Sequence, residues 1–172
     1  MEILNETFWD ELRTDNCIIK RFAPEYIEPA VLLFTDSQVR KYLGGPVPAE
    51  WARHRLEQWC DPQSENIYFA ITLHDGTFIG IIDIAPYHDG TSKELSYMFL
   101  PAYWGQGYAF ESVKAVLDYC RKHLELNRIV SETQARNERS CALLERLGYK
   151  LHDQLIRFDA EQNVYVFDIR VE

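Results

Sequence analysis

Residues 104–111 read WGQGYAFE, in which two closely spaced glycines precede a run able to form a helix. Gly105 and Gly107 let the backbone turn sharply and approach a ligand closely. A helix beginning near Phe110 opens with N–H groups that lack partners inside the helix. Those donors, with the positive end of the helix dipole, suit a phosphate. A tight turn without a ligand needs the same glycines, so the segment alone leaves both readings open. Two common phosphate motifs are excluded. A dinucleotide fingerprint needs a third glycine where Phe110 stands, and a P-loop needs Gly-Lys-Ser or Gly-Lys-Thr.

Other reactive side chains are scattered. Cys17, Cys60, Cys120 and Cys141 form no CxxC pair and read as reduced core thiols. The histidines at 54, 74, 88, 123 and 152 show no ligand spacing, so no metal is expected.

Elements must position the loop. CIIKRF (17–22) predicts a first strand. Pro24 suits a helix start, with Ile27, Ala30, Val31 and Phe34 at helical spacing. After a Gly/Pro-rich loop, a second helix is expected over 49–60, turning Ala52, Leu56, Trp59 and Cys60 inward. Three strands follow, at 66–73, 78–87 and 94–100, separated by the turns HDG and HDGTS. Residues 110–124 place Val113, Val116, Leu117, Cys120 and Leu124 on one helical face. A strand over 128–135 precedes a short helix capped by Asn137 and ended by Gly148, with Leu143, Leu144 and Leu147 inward. Final strands are expected near 149–158 and 164–171, the last alternating Tyr165, Phe167, Ile169 and Val171. The order βααβββαβαββ describes an α/β domain, with an antiparallel meander and one strand–helix–strand crossover.

One domain of 172 residues accommodates this order. With 47% apolar and 26% charged residues, the chain has the composition of a packed globule. No apolar run approaches a membrane span, and the start MEILNETFWDEL lacks a basic leader, so a cytoplasmic location is expected. The net charge of −9 argues against nucleic acid as a partner. Residues 1–100 carry 8 basic and 16 acidic groups, a net of −8; residues 101–172 carry 10 and 11, a net of −1. The front half favours a cationic partner, unless its acidity is only solvated surface.

CIIKRFAPE, DSQVRKYLGG, ELSYMFLPAYWGQGYAFESV and NERSCALLERLGYK, in that order, resemble the GNAT acetyltransferase superfamily, and most of all its RimJ/RimL-like branch, which acetylates protein N-termini. The likeness runs over nearly the whole chain. The superfamily's pyrophosphate motif, Gln/Arg-x-x-Gly-x-Gly/Ala, is matched at Gly107 and Ala109, while Trp104 departs from its first position.

The resemblance implies a mixed, mostly antiparallel sheet flanked by helices, and an acetyl-CoA-dependent N-acetyltransferase needing no metal. It implies that pantetheine inserts beside the strand before the loop, bonding backbone groups of Met98, Phe99 and Leu100. Backbone N–H groups of Gly105, Gln106, Gly107, Tyr108, Ala109 and Phe110 would hold the pyrophosphate. Asn137 would reach the cofactor arm. Arg146 would lie near the CoA phosphates, or else be an exposed helix cation.

The acceptor amine must be neutral to attack a thioester directly. Glu94, four residues before Met98, is the base that the resemblance implies, and a hydrated strand-end carboxylate is the competing reading. The Met98 N–H would polarise the thioester. Leu144 stands where many relatives carry a tyrosine acid, so Ser140 is implied to protonate the leaving thiolate, unless it only caps its helix. Tyr97 and Tyr149 are expected mainly to pack, and Cys141 to be an inert thiol. Tyr42, Trp51 and Trp59 either line an acceptor site between the first helices and the last strands, or belong to the core. The acceptor is a protein N-terminus or a small amine. A catalytically silent CoA-binding protein is the other reading, and the terminal strands offer an edge for a homodimer.

Overall fold

The computed structural model describes residues 11–170; the amino-terminal stretch read above as leaderless lies mostly outside them, as does Val171. The strands are β1 (Leu12–Arg13), β2 (Cys17–Arg21), β3 (Ile67–Leu73), β4 (Phe78–Pro86), β5 (Lys93–Phe99), β6 (Arg128–Gln134), β7 (Lys150–Arg157) and β8 (Ala160–Asp168). The helices are α1 (Ile27–Thr35), α2 (Ala49–Gln58), α3 (Tyr108–His123) and α4 (Glu138–Leu147). They flank one eight-stranded sheet of order β1-β2-β3-β4-β5-β6-β8-β7. Among the described residues, only β5 and β6 pair in parallel, the connection running through α3. The expected fold class and element order hold, with the two-residue β1 added.

Alternation along the strands sorts the core onto both faces of the sheet. Phe69, Ile82, Leu95 and Ile129 pack with Val113, Val116 and Leu117 of α3 and Leu144 of α4. On the other face, Ala70 and Ile81 pack with Leu33 and Phe34 of α1 and with Ala52 and Leu56 of α2. Fully burying one such branched side chain contributes about 1.5–3 kcal/mol. Cys17 and Cys120 are buried, Cys60 and Cys141 half-buried, and all four are free thiols.

The α3 boundaries follow from local chemistry. Gly107, at φ 85°, turns the chain into the helix, and Arg121, Lys122 and His123 oppose the dipole at its end. Asn137 Oδ1 accepts the Ser140 N–H at 3.2 Å, and Gly148 at φ 99° ends α4. The last hairpin departs from expectation. Its turn is Phe158–Asp159, both in the left-handed region at φ 55° and 58°, so β8 begins at Ala160. Such a turn favours Asn-Gly, and its usual composition is absent from the sequence.

Gly80 fixes the contact between β4 and β5. A Cβ added there would lie 2.6 Å from the Met98 carbonyl oxygen and 2.6 Å from the Phe99 ring. Gly80→Ala should therefore lower stability in urea unfolding by about 1–3 kcal/mol, the usual cost of overpacking.

Candidate active site

The crossover strands separate almost as soon as they meet. β5 and β6 pair only at Lys93–Ile129 and Glu94–Val130, whereas β5 follows β4 from Lys93 to Phe99. Beyond Glu94, the Ser131 hydroxyl donates to the Leu95 carbonyl at 2.8 Å, and lies 3.2 Å from the Tyr149 hydroxyl. Past that bridge a cleft of about 1310 Å³ opens between the strands, bordered also by residues 38–44, the start of α3, α4 and the Phe158 turn.

The ladder decides which β5 backbone groups face this cleft. The Leu100 N–H donates to the Ile79 carbonyl at 2.9 Å, and the Met98 carbonyl lies against Gly80. Antiparallel pairing alternates, so Met98 and Leu100 spend their ladder groups on β4, while Leu95, Tyr97 and Phe99 turn theirs away from it. This corrects the expectation for Met98 and Leu100 as pantetheine partners, and for the Met98 N–H as oxyanion donor. The Phe99 carbonyl is taken by the Trp104 indole at 2.7 Å. Tyr97 N–H and C=O and the Phe99 N–H form the edge presented to the cleft. Position in a strand cannot reveal this parity until the partner strand is known.

The glycine loop borders the same cleft. Gly105 and Gly107 both adopt positive φ, and Gly105, Gly107, Tyr108, Ala109 and Phe110 line it. The first N–H groups of α3 are unpaired by helix geometry and aim at this end. Gln106 is outside the lining; its side-chain amide donates to the Ala102 carbonyl at 2.8 Å. Trp104 occupies the departure from the usual motif, and its ring lies 4.7 Å from the Arg139 guanidinium. The Arg146 guanidinium is 4.7 Å from the Phe110 ring, on the cleft wall. Arg139 was not singled out from the sequence; its place beside Trp104 arises only when α4 packs against the loop.

Ser140 does not cap α4 with its hydroxyl. Its N–H is the capped group, and its Oγ is 2.7 Å from the Tyr97 hydroxyl. Burial pushes the Tyr97 phenol up to about 12, against the lowering effect of Ser140. The pair is therefore protonated near neutrality, and both residues line the cleft. Asn137 lines it too, its Oδ1 committed to the cap. Cys141 Sγ donates to the Gln134 carbonyl at 3.9 Å and accepts from Asn163 Nδ2 at 3.6 Å.

Glu94 stands where the strands part. Burial raises its carboxyl to about 7; the charge of Glu132 adds to the rise, and Arg157 partly offsets it. Glu132, with a side chain only 6% exposed, accepts from Arg157 at 3.1 Å and from the Tyr87 hydroxyl at 2.9 Å. Trp59 is buried and stacks on Tyr68 at 4.3 Å, while Trp51 is 50% exposed and Tyr42 borders the cleft.

Residues 16–150 match the family model described as acetyltransferase (GNAT) domain. An uncharacterized N-acetyltransferase of Bacillus licheniformis, p20, is 30% identical over 171 residues, covering 93% of this chain and 96% of its own. An acetyltransferase structure from Agrobacterium tumefaciens superimposes with a TM-score of 0.76 at 27% identity, covering 97% of this chain and 98% of that one. The Salmonella typhimurium acetyltransferase that modifies the N-terminal serine of ribosomal protein L7/L12 shares the fold, with a TM-score of 0.77 at 13% identity over 90% and 96% of the chains.

The raised Glu94 carboxyl has a stability signature. Between its ordinary 4.5 and about 7 the folded chain holds a proton that the unfolded chain has lost. Stability from this group is thus complete below 4.5 and declines as pH rises through 7. Glu94→Gln removes that decline, so thermal unfolding at pH 8 should occur at higher temperature than in the parent, with little difference at pH 4.

Proposed function

The chain belongs to the acetyltransferase (GNAT) family and is an N-acetyltransferase using acetyl-CoA; from that premise we propose that it acetylates a primary amine by direct attack at the β5–β6 split, with Glu94 as base. The split itself carries the reading: Tyr97 and Phe99 offer unpaired backbone groups beside an anion-binding helix start. An extended pantetheine arm completes the sheet there as an added strand would. The loop from Gly105 to Phe110 holds the pyrophosphate, with Arg139 and Arg146 nearby as cations.

Glu94, ionised above about pH 7, accepts the proton of the acceptor ammonium directly or through water. The neutral amine attacks the thioester carbonyl, whose oxygen accepts from a cleft-facing N–H of β5. As the C–S bond breaks, the Tyr97–Ser140 pair supplies the proton that the departing thiolate takes up. The nitrogen, cationic after its attack, then sheds one proton, which passes through water to restore the Tyr97–Ser140 pair.

The leading acceptor is the α-amine of a protein or peptide N-terminus. Its pKa of about 8 lies closer to that of Glu94 than does a lysine's, about 10.4, so less free energy is spent on deprotonation. The cleft extends from Glu94 to residues 38–44 and the Phe158 turn, a volume that accommodates more than a small amine. A small amine is the second reading, favoured by a side cavity that adjoins this cleft.

Thiol release from acetyl-CoA with N-terminal peptides and small amines should show turnover, rising with pH through about 7. Glu94→Gln should flatten that rise; an unchanged profile removes Glu94 as base, and no turnover on a broad panel rejects the activity. Tyr97→Phe should lower kcat roughly a hundredfold with little change in KM for acetyl-CoA, as expected for loss of a general acid.

A further inference from the structure

Two arginines face a side cavity to which the proposed chemistry assigns no group. The cavity, of about 520 Å³, is walled by Phe34, Trp59, Tyr68 and Ile81, and carries Arg40, Arg55 and Asp83. Arg40, Ser96, Tyr97 and Met98 border both this cavity and the main cleft, so one leads into the other. Register sets its relation to Glu94. Ala85 pairs with Glu94, Asp83 with Ser96 and Ile81 with Met98, so these residues share the sheet face that carries α1 and α2. Two residues along a strand span about 7 Å. A molecule with its amine beside Glu94 therefore reaches the cavity within a few bonds.

Arg40 is held on the loop after α1. Its Nε donates to the Gly45 carbonyl at 2.9 Å and its Nη2 to the Leu43 carbonyl at 2.7 Å, which leaves Nη1 for a ligand. Burial, and then the charge of Arg55, hold this guanidinium below its ordinary range. Arg55 stands on α2, 5.7 Å from the half-exposed Trp51 ring. Among the described residues neither arginine forms an ion pair, although acids outnumber bases two to one over residues 1–100. Asp83, the acid that lines the cavity, does not neutralise them. No described residue gives it a hydrogen bond or ion pair, and burial raises its carboxyl to about 7, with Glu94 adding more to the rise than Arg55 takes away. Like charges brought together away from water are costly until an anion relieves them. The cavity therefore gains most from a ligand with a carboxylate, the group that guanidinium donors hold best.

From this geometry we infer that Arg40 and Arg55 receive a carboxylate of the acceptor, a few bonds from the amine that reacts beside Glu94, as in an acidic first residue of a peptide or a free acidic amino acid. This rests on the acetyl-transfer reading and narrows its substrate. The acidic side chain enters the side cavity past Ser96, leaving the main cleft to any chain that follows. Arg55 is then a specificity residue, while Arg40 serves both the ligand and its own loop. Asp83, when protonated, donates to the same carboxylate instead of opposing it.

Calorimetric titration of the full chain with CoA present, using short peptides that differ only in Asp or Asn at the first position, tests this without requiring turnover. The Asp peptide should bind at least about tenfold more tightly than the Asn peptide. Arg55→Gln should shrink that advantage to within about twofold, and Arg55→Glu should reverse it. Arg55 is exposed on α2, so neither change threatens the fold. In turnover Arg55→Gln should raise KM for the Asp peptide rather than lower kcat. Free aspartate against free asparagine forms a second arm. An advantage confined to the peptides assigns the carboxylate to a protein N-terminus, and one shown by the free amino acids assigns it to a small acceptor; both uphold the site. Equal binding of the paired ligands by the parent in both arms, or an advantage that survives Arg55→Glu, overturns the assignment. If the advantage holds but no amine consumes acetyl-CoA, the transfer reading fails while the carboxylate site stands.

Discussion

The site depends on one constraint: two neighbouring parallel strands are prevented from pairing along their length. β5 is held to β4 from Lys93 to Phe99, and β6 to β8 from Arg128 to Gln134. Each strand thus has a partner on its outer side. Between them only the Lys93–Ile129 and Glu94–Val130 steps are made. Unpaired backbone groups are costly when kept from water, so a gap of this kind is stable only if solvent or a ligand satisfies it. The cleft is the consequence, and everything argued to act in it stands on its borders.

What holds the strands apart is distributed through the packing. Ser131 bridges to Leu95 with its hydroxyl where the ladder stops. Above it, Leu144 of α4 is buried against the sheet, and α3 covers β5 from the same side. Gly80 lets β4 come close enough to accept the Met98 carbonyl and the Phe99 ring. Trp104 then closes the strand end by donating to the Phe99 carbonyl. The result is a rigid outer sheet around a local vacancy in the hydrogen-bond ladder.

Electrostatics at the cleft run against stability. Glu94 and Asp83 are both raised to about 7 by burial, and each is disfavoured further by another carboxylate. Arg157 relieves Glu94 only in part, being also hydrogen-bonded to Glu132. Perturbed carboxylates of this kind, which burial disfavours, cluster at functional sites. The opposite end of the cleft has the reverse polarity, with a helix start and the guanidinium groups of Arg139 and Arg146.

Much of this was readable from residue order. Hydrophobic period, glycine placement and the Asn137 cap located the helices and strands to within a few residues, because these signals are local. The loop after Leu100 stood out for the same reason, whereas Glu94 was singled out by the family resemblance alone. The Phe158–Asp159 turn did not, since its left-handed residues are not the ones that favour such a turn. Strand parity, the Tyr97–Ser140 contact, the placement of Arg139 and the isolation of Asp83 were equally hidden. Each is a relation between elements distant in sequence, set by register and by how α4 settles on the sheet. The sequence by itself determined which segments coil or extend and where a glycine turn opens a helix. Tertiary structure alone decided which amides face the gap and which acids lose their water, because both follow from the neighbours that packing brings together.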